Sequence, residues 1–189
     1  AQRIGVVVGA GNNGGDGYVL ARLARDTGRQ VSVLRLDTDA PATPLSRQAE
    51  QAFIAAGGAV ARFDGALPPV ELLVDALFGI GLNRAPAGAA VDLINAINAA
   101  GMPVLSLDVP SGVEAQTGNV PGVAIRATLT LQFIVRHQGL YTGAALEHVG
   151  GRRLAPLDLP AAAAQGVQHS AECWQQPRLR AQLPARRAN

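Results

Sequence analysis

The sequence contains no lysine: all sixteen of its basic residues are arginines. This excludes any mechanism that draws a Schiff-base or phosphate-binding lysine from this chain. Cysteine occurs once, at Cys173, so no intramolecular disulfide framework exists, which suits a reducing cytoplasm. Aromatic residues amount to 4% and leave few platforms on which nucleic-acid bases stack. No apolar run approaches the roughly 18 residues that span a membrane, and no secretory signal precedes the first strand-like run. Charged residues are sparse as well, 16% against 48% hydrophobic, a balance that excludes a disordered chain. What remains is 189 residues, enough for one domain with a sizeable core. The formal net charge is +2. Its one basic concentration, Arg178, Arg180, Arg186 and Arg187, reads as a solvated tail rather than a nucleic-acid patch. Neither nucleic acid nor membrane is expected as a partner.

Short β-branched runs alternate with helical patterns. Ile4–Val8, Val31–Leu36, Ala59–Phe63, Val70–Ala76, Val104–Leu107 and Ala127–Val135 predict six strands, the first apolar at consecutive positions as in a buried parallel strand. Glu147–Val149 and Arg153–Leu157 predict short edge strands. Helices are expected over Gly15–Thr27, with Val19, Leu20 and Leu23 on its apolar face, over Ser46–Ala56 and over Ala89–Ala100. Alternation of this kind implies an α/β three-layer sandwich, a Rossmann-like, mainly parallel sheet with helices on both faces. Residues 160–189 show no sheet or helix period and read as a connector. The chain opens almost directly on a strand without an initiator methionine, so its ends read as those of a fragment.

In such sheets ligands bind beyond the carboxyl ends of the strands, and three polar clusters fall there. The first, "GNNGGDG" (Gly11–Gly17), comes after strand one. The second, "DALFGIGLNR" (Asp75–Arg84), ends strand four, and the third, "LDVPSG" (Leu107–Gly112), comes after strand five. Gly9, Gly11 and Gly14 satisfy the dinucleotide fingerprint G-x-G-x-x-G, and Asp37 stands where a ribose-binding acid is expected. Against an ordinary dinucleotide turn, Asp16 places a negative charge near the start of the helix, where it would compete with a pyrophosphate. Asn12 and Asn13 add carboxamide oxygens. Asn13, Asp75 and Ser111 together offer one carboxylate and neutral oxygens, a set suited to a weakly charged hard cation such as potassium. A plainer reading has the glycines only join strand to helix, and Asp75 and Asp108 only cap following helices.

The segments "GAGNNGGDGYVLAR", "VDALFGIGLNR", "LDVPSGVEAQTG" and "LTLQFIVRHQGLYTG" resemble the YjeF N-terminal domain family, the NAD(P)H-hydrate epimerases. The resemblance runs from about Ile4 to Leu159, and it implies an epimerase domain over residues 1–159. It implies epimerisation of the R and S forms of NADHX and NADPHX, the cofactors hydrated at carbon 6 of the nicotinamide ring. It further implies that Asn12, Asn13, Gly14, Gly15 and Asp16 contact the hydrate. Gly79, Ile80, Gly81, Leu82, Asn83, Arg84 and Ala85 would surround the phosphates or ribose, with Asp108 at the nicotinamide end. Asn13, Asp75 and Ser111 would hold a potassium ion. Residues 160–189 resemble the lead-in to the ADP-dependent dehydratase domain of bacterial bifunctional proteins, which implies a fused or partner dehydratase. The family also implies a homodimer and a helical segment before the first strand, which these residues do not include.

The chemistry of such a substrate points to Asp108. The hydrated carbon is a hemiaminal, and inverting it requires a planar species closed from the other face. One group that protonates the departing hydroxyl and deprotonates the returning water suffices. Two departures from the family stand out: His137 occupies a position where lysine is common, and Thr128 one where an acid is frequent. His137 fits either a phosphate contact, an acid–base group near neutral pH, or a surface site. Two other functions stay open at this level. One is a non-catalytic binding module of the same fold; the other is an NAD(P)-dependent oxidoreductase built on Gly9, Gly11, Gly14 and Asp37, although the chain has no lysine for a Tyr–Lys pair.

Overall fold

The computed structural model describes residues 1–36, 40–159 and 171. Asp37 therefore lies outside the described residues, as do His169, Cys173 and the arginine-rich tail. The chain divides into a unit Ala1–Asp158 and a second unit Leu159–Asn189; the sheet, its helices and the cleft all belong to the first.

Seven strands form one sheet: β1 (Arg3–Val8), β2 (Gln30–Arg35), β3 (Val60–Arg62), β4 (Leu72–Ala76), β5 (Val104–Leu107), β6 (Leu129–Phe133) and β7 (Gly151–Ala155). Their order is β3-β2-β1-β4-β5-β6-β7, and every neighbouring pair is parallel. The order reverses between β1 and β4, the switch point where a crevice opens beyond the strand ends. Three helices, α1 (Asn12–Asp26), α2 (Pro44–Ala55) and α3 (Ala89–Ala99), provide the outer layers. Successive strand residues point to opposite faces, so Val6, Val8 and Val74 pack with Tyr18, Ala21 and Phe53 from the α1–α2 side. Val7 and Leu73 meet Leu93, Ile94 and Ile97 from α3 on the other. The start of α2 is fixed by Pro44 in its first turn and by reciprocal bonds between Thr43 and Ser46. Among the described residues no helix is long and apolar enough to cross a membrane.

The α/β sandwich expected from the alternating runs is present, and the sheet is wholly parallel. Three local expectations are corrected. Residues Glu147–Val149 are not a strand: Gly143–Glu147 forms a 3₁₀ turn, preceded by another at Gln138–Tyr141, and Leu140, Ala145 and Val149 seal a small apolar cluster there. Helix α1 starts at Asn12 rather than Gly15, because Gly11 with φ −82° and ψ −171° occupies the cap position. Its buried face is also different. Val19 and Leu23 are 41% and 51% exposed, whereas Gly14, Gly15, Gly17, Tyr18 and Ala21 are buried.

Glycine packing explains that inversion. A Cβ at Gly14 would lie 1.9 Å from the Gly9 carbonyl oxygen, and one at Gly9 would lie 1.8 Å from the Leu77 carbonyl oxygen. Backbone thus meets backbone across α1, β1 and the end of β4, and the helix presses its glycines, with Tyr18 and Ala21, onto the sheet. At Gly11 an added Cβ meets nothing within 4 Å. Gly14→Ala should therefore cost about 3 kcal/mol or more by forcing the helix off the strand. Gly11→Ser, which supplies a capping oxygen, should leave stability within about 0.5 kcal/mol or raise it. Urea unfolding of the two variants checks this; equal losses would contradict it.

Candidate active site

The carboxyl ends of β1, β4, β5 and β6 surround a cleft of about 1940 Å³, roomy enough for a dinucleotide-sized ligand. Asn12, Asn13 and Asp16 from α1 line one side. Gly79 to Ala85, in the largely exposed loop after β4, line the rim. Asp108 and His137 enter from the turns after β5 and β6, and the floor is half-buried sheet surface, Leu72, Leu105, Leu131 and Phe133. Val19 and Leu23, uncovered by α1's packing, line the cleft too. Gly14 and Gly15 lie on the buried face of α1, against Gly9 and Ser46.

The three clusters meet around one residue, Phe78. The Asp75 side chain is fully buried. Its carboxylate accepts from the Leu77 amide at 3.3 Å, the Ser106 hydroxyl at 2.8 Å, the Ser111 amide at 2.9 Å and the Ser111 hydroxyl at 2.5 Å. Ser111 Oγ in turn accepts from the Phe78 amide at 2.8 Å. On the other side of that residue, the Asn13 amide nitrogen donates to the Phe78 carbonyl at 2.9 Å and to the Leu107 carbonyl at 3.3 Å. Asp75 caps no helix, since α3 begins after Gly88; nor does Asp108, whose chain continues into a turn. The plainer capping reading is set aside for both.

Two features of this knot are electrostatically incomplete. All four donors to Asp75 are neutral, so burial raises its carboxyl above the usual range, the hydrogen bonds opposing. And Asn13 Oδ1 is buried with no hydrogen-bond partner, while both amide hydrogens are committed and fix the side chain's orientation. A buried carboxylate lacking a counter-charge beside an orphaned buried oxygen is a donor set that fits an alkali cation. Among the described residues no group of three or more His, Cys, Asp and Glu is arranged for a metal ion.

Asp108 has φ +64°, and the Val109 amide bonds back to the Leu107 carbonyl at 2.8 Å. This is a tight γ-turn in a conformation that side chains rarely adopt. One turn further, Ile134 has φ +66° with the Val135 amide on the Phe133 carbonyl at 2.6 Å. Two strained turns thus end adjacent strands at the cleft. They bring His137 Nε2 to 2.9 Å from Asp108 Oδ1, each side chain 15% exposed. Gly79 closes the other side: a Cβ there would sit 3.1 Å from Asn13 Cβ and 3.4 Å from Asp108 Oδ2. Asp16 faces the same space. Desolvation by the cleft, then the charge of Asp108, raises its carboxyl.

Several participants carry no signal in the sequence. The Phe78 and Leu107 carbonyls have no side-chain signature. Thr43, 31 residues from Asn12, donates to its Oδ1 at 2.6 Å, and Gln132, 1% exposed, receives the His137 amide at 2.8 Å. Thr128 lies away from the cleft: it starts the turn into β6 and accepts from the Val104 amide at 3.1 Å. His148 is tied to the Ile125 carbonyl at 3.0 Å, a structural role.

The profile of the family described as YjeF-related protein N-terminus matches residues 1–139. The chain is 42% identical over 146 residues to the bifunctional NAD(P)H-hydrate repair enzyme Nnr of Escherichia coli, covering 77% of this chain and 28% of that protein. It is 41% identical over 152 residues to the NAD(P)H-hydrate epimerase of Limosilactobacillus fermentum, covering 79% of this chain and 72% of that one. The chain thus spans little more than a quarter of the bifunctional relative. The crystal structure of the yeast protein ynu0 superposes with a TM-score of 0.71 at 21% identity, covering 86% of this chain and 70% of that one, a likeness of fold.

The buried Asp75 has a consequence for stability. A carboxyl raised in the folded state contributes stability that is full below its ordinary range near pH 4 and is lost as pH rises through the folded value. In buffer free of alkali cations, the unfolding free energy of the wild type should decline over that interval. Asp75→Asn, with no proton to lose there, should show a shallower decline in urea titrations. Equal slopes would mean that Asp75 ionises without cost.

Proposed function

We propose, from the premise that this chain belongs to the family of the YjeF-related protein N-terminus, that its cleft epimerises the R and S hydrates of NADH and NADPH. The observation that carries the reading is Asp108, held by a strained turn within the cleft beside Gly79. The names of the relatives, an epimerase and bifunctional hydrate repair enzymes, supply the substrate class. The activity gives an accompanying dehydratase specific for one epimer access to both. We assign residues 160–189 as the connection toward such a domain, in keeping with the greater length of the bifunctional relative.

The steps are set by the hemiaminal. Asp108 gives a proton to the hydroxyl on ring carbon 6, and the carbon–oxygen bond breaks with its electron pair leaving in water. The lone pair of the ring nitrogen forms the second bond to carbon 6. Water then adds to the opposite face, Asp108 takes its proton, and the nitrogen recovers its lone pair. Asn12 and Asp16 face the same end of the cleft and are assigned to hold the hydrated ring. Gly79 to Ala85 carry the ribose and phosphates, with Arg84 as their cation. The half-buried apolar floor of Leu72, Leu105 and Leu131 lowers the local dielectric and strengthens the hydrogen bonds made to the ring.

A potassium ion is assigned to the set of Asn13, Asp75 and Ser111. The support is the orphaned Asn13 Oδ1 and the carboxylate of Asp75 with neutral donors alone. When bound, such an ion supplies fixed positive charge behind the reacting end. Asp75 and Asn13 also set the position of the Phe78–Gly79 peptide through Ser111 and the Phe78 carbonyl.

Purified R or S hydrate, monitored by chromatography as the epimers equilibrate, tests the reading. Wild type should accelerate equilibration over the spontaneous rate, more in potassium than in sodium. Asp108→Asn should slow it about 100-fold or more with little change in hydrate binding. A spontaneous rate with the full wild-type chain, or full activity in Asp108→Asn, would contradict it.

A further inference from the structure

His137 has no task in the steps above, yet the fold goes to some length to aim it. Its ring reaches Asp108 Oδ1 at 2.9 Å, and both side chains line the cleft. Its backbone amide is held by Gln132 Oε1 at 2.8 Å. Gln132 is buried on β6, and its amide nitrogen donates to the Tyr141 hydroxyl at 3.2 Å. Tyr141 carries the Arg152 guanidinium 4.7 Å over its ring. A chain of contacts from β7 through the 3₁₀ turn to β6 therefore fixes the segment that presents the imidazole, and the strained Ile134 turn redirects the backbone into it.

The assigned chemistry explains why such aim is useful. An isolated carboxyl with an ordinary value near 3.9 is protonated in only about one molecule in a thousand at pH 7, so it makes a poor proton donor to a leaving hydroxyl. Histidine titrates in the range where the reaction runs. We propose that His137 is the positioning partner of Asp108, and that the two hold one shared proton which Asp108 delivers to the departing hydroxyl and recovers from the returning water. The proposal rests on the epimerase reading. The proton moves from the pair to the hydroxyl oxygen, water leaves with the electron pair of the broken carbon–oxygen bond, and the return step restores the pair; no oxidant or reductant takes part.

Among the described residues, the other charged side chains that line the cleft are Asp16, Arg29 and Arg84. Asp16 faces it from α1, with Asp108 contributing to its raised carboxyl, and Arg84 lines the same cleft from the loop after β4. Arg136 precedes His137 and is exposed. Arg152, from β7, is turned to the Leu140 carbonyl and the Tyr141 ring.

Two measurements test the proposal separately from the reading beneath it. In the ¹H–¹⁵N imidazole spectrum of the full chain, the His137 Nε2–H signal should be protected from exchange and should vanish in Asp108→Ala. An unchanged signal in that variant overturns the pairing whatever the enzyme does. In epimer equilibration, the wild-type rate should fall on an alkaline limb. His137→Lys, whose ammonium keeps its proton to about pH 10, should move that limb up by about two pH units or more. His137→Gln should lose about 10-fold or more at pH 7.5 with KM within about 2-fold. A limb unmoved in both variants, each folded by circular dichroism, overturns the proton-sharing role. A wild type that accelerates nothing at any pH sinks the epimerase reading and the role in that reaction, while the spectrum still decides whether the pair exists.

Discussion

The Asp75 carboxylate, sealed from water at the end of β4, accepts from β5 through Ser106, from the turn after β5 through both polar groups of Ser111, and from its own strand's exit through Leu77. A buried acid bound in this way costs free energy unless its environment answers the charge. The rest of the cleft is arranged around that requirement. Ser111 passes the constraint to the Phe78 amide, and Asn13 takes the Phe78 carbonyl, so segments from three distant stretches of sequence are registered on one residue. The same knot leaves the Asn13 oxygen unspent. This arrangement also fixes the start of the loop at Gly79, where an added Cβ would sit 3.4 Å from Asp108 Oδ2.

Above the knot, strain takes over from hydrogen bonding. Asp108 and Ile134 both adopt positive φ in γ-turns at the ends of neighbouring parallel strands. Each such residue costs on the order of 1–3 kcal/mol, and each is held by the sheet it terminates. The turns redirect the chain abruptly, so that a carboxylate and an imidazole 29 residues apart meet face to face within the cleft. The glycine contact between α1 and β1 serves the same end from the opposite wall: it lets the helix start close enough to the sheet for Asn13 to reach the β4 and β5 exits.

Much of this is legible in the residues and some is not, for physical reasons. Strands β1, β2, β4 and β5 announce themselves as short β-branched runs, and their parallel pairing comes from the alternation with helices. The three polar clusters belong together because strand ends converge in such a sheet. The packing of α1 runs against its sequence pattern, because an apolar stripe usually marks the buried face. Here the interface is made by glycine backbones, and Val19 and Leu23 stay open to the cleft. The residues Glu147–Val149 look strand-like by composition, yet a 3₁₀ turn closes an apolar cluster there. Thr43 and Gln132 give no signal because their roles arise from tertiary approach, and the carbonyls of Phe78 and Leu107 are invisible to any side-chain pattern. The resemblance marks both His137 and Thr128 as expected departures from the family. Only geometry separates them, one against the acid in the cleft and the other at the far end of β6.

A monovalent cation is proposed to complete the Asn13–Asp75–Ser111 knot. Crystals grown in rubidium, whose size and chemistry approximate those of potassium, allow a direct look by anomalous diffraction. One strong anomalous peak is predicted within coordination distance of Asn13 Oδ1 and beside the Asp75 and Ser111 oxygens. An anomalous map empty at that position, with Asn13 Oδ1 turned onto a protein donor, would contradict it.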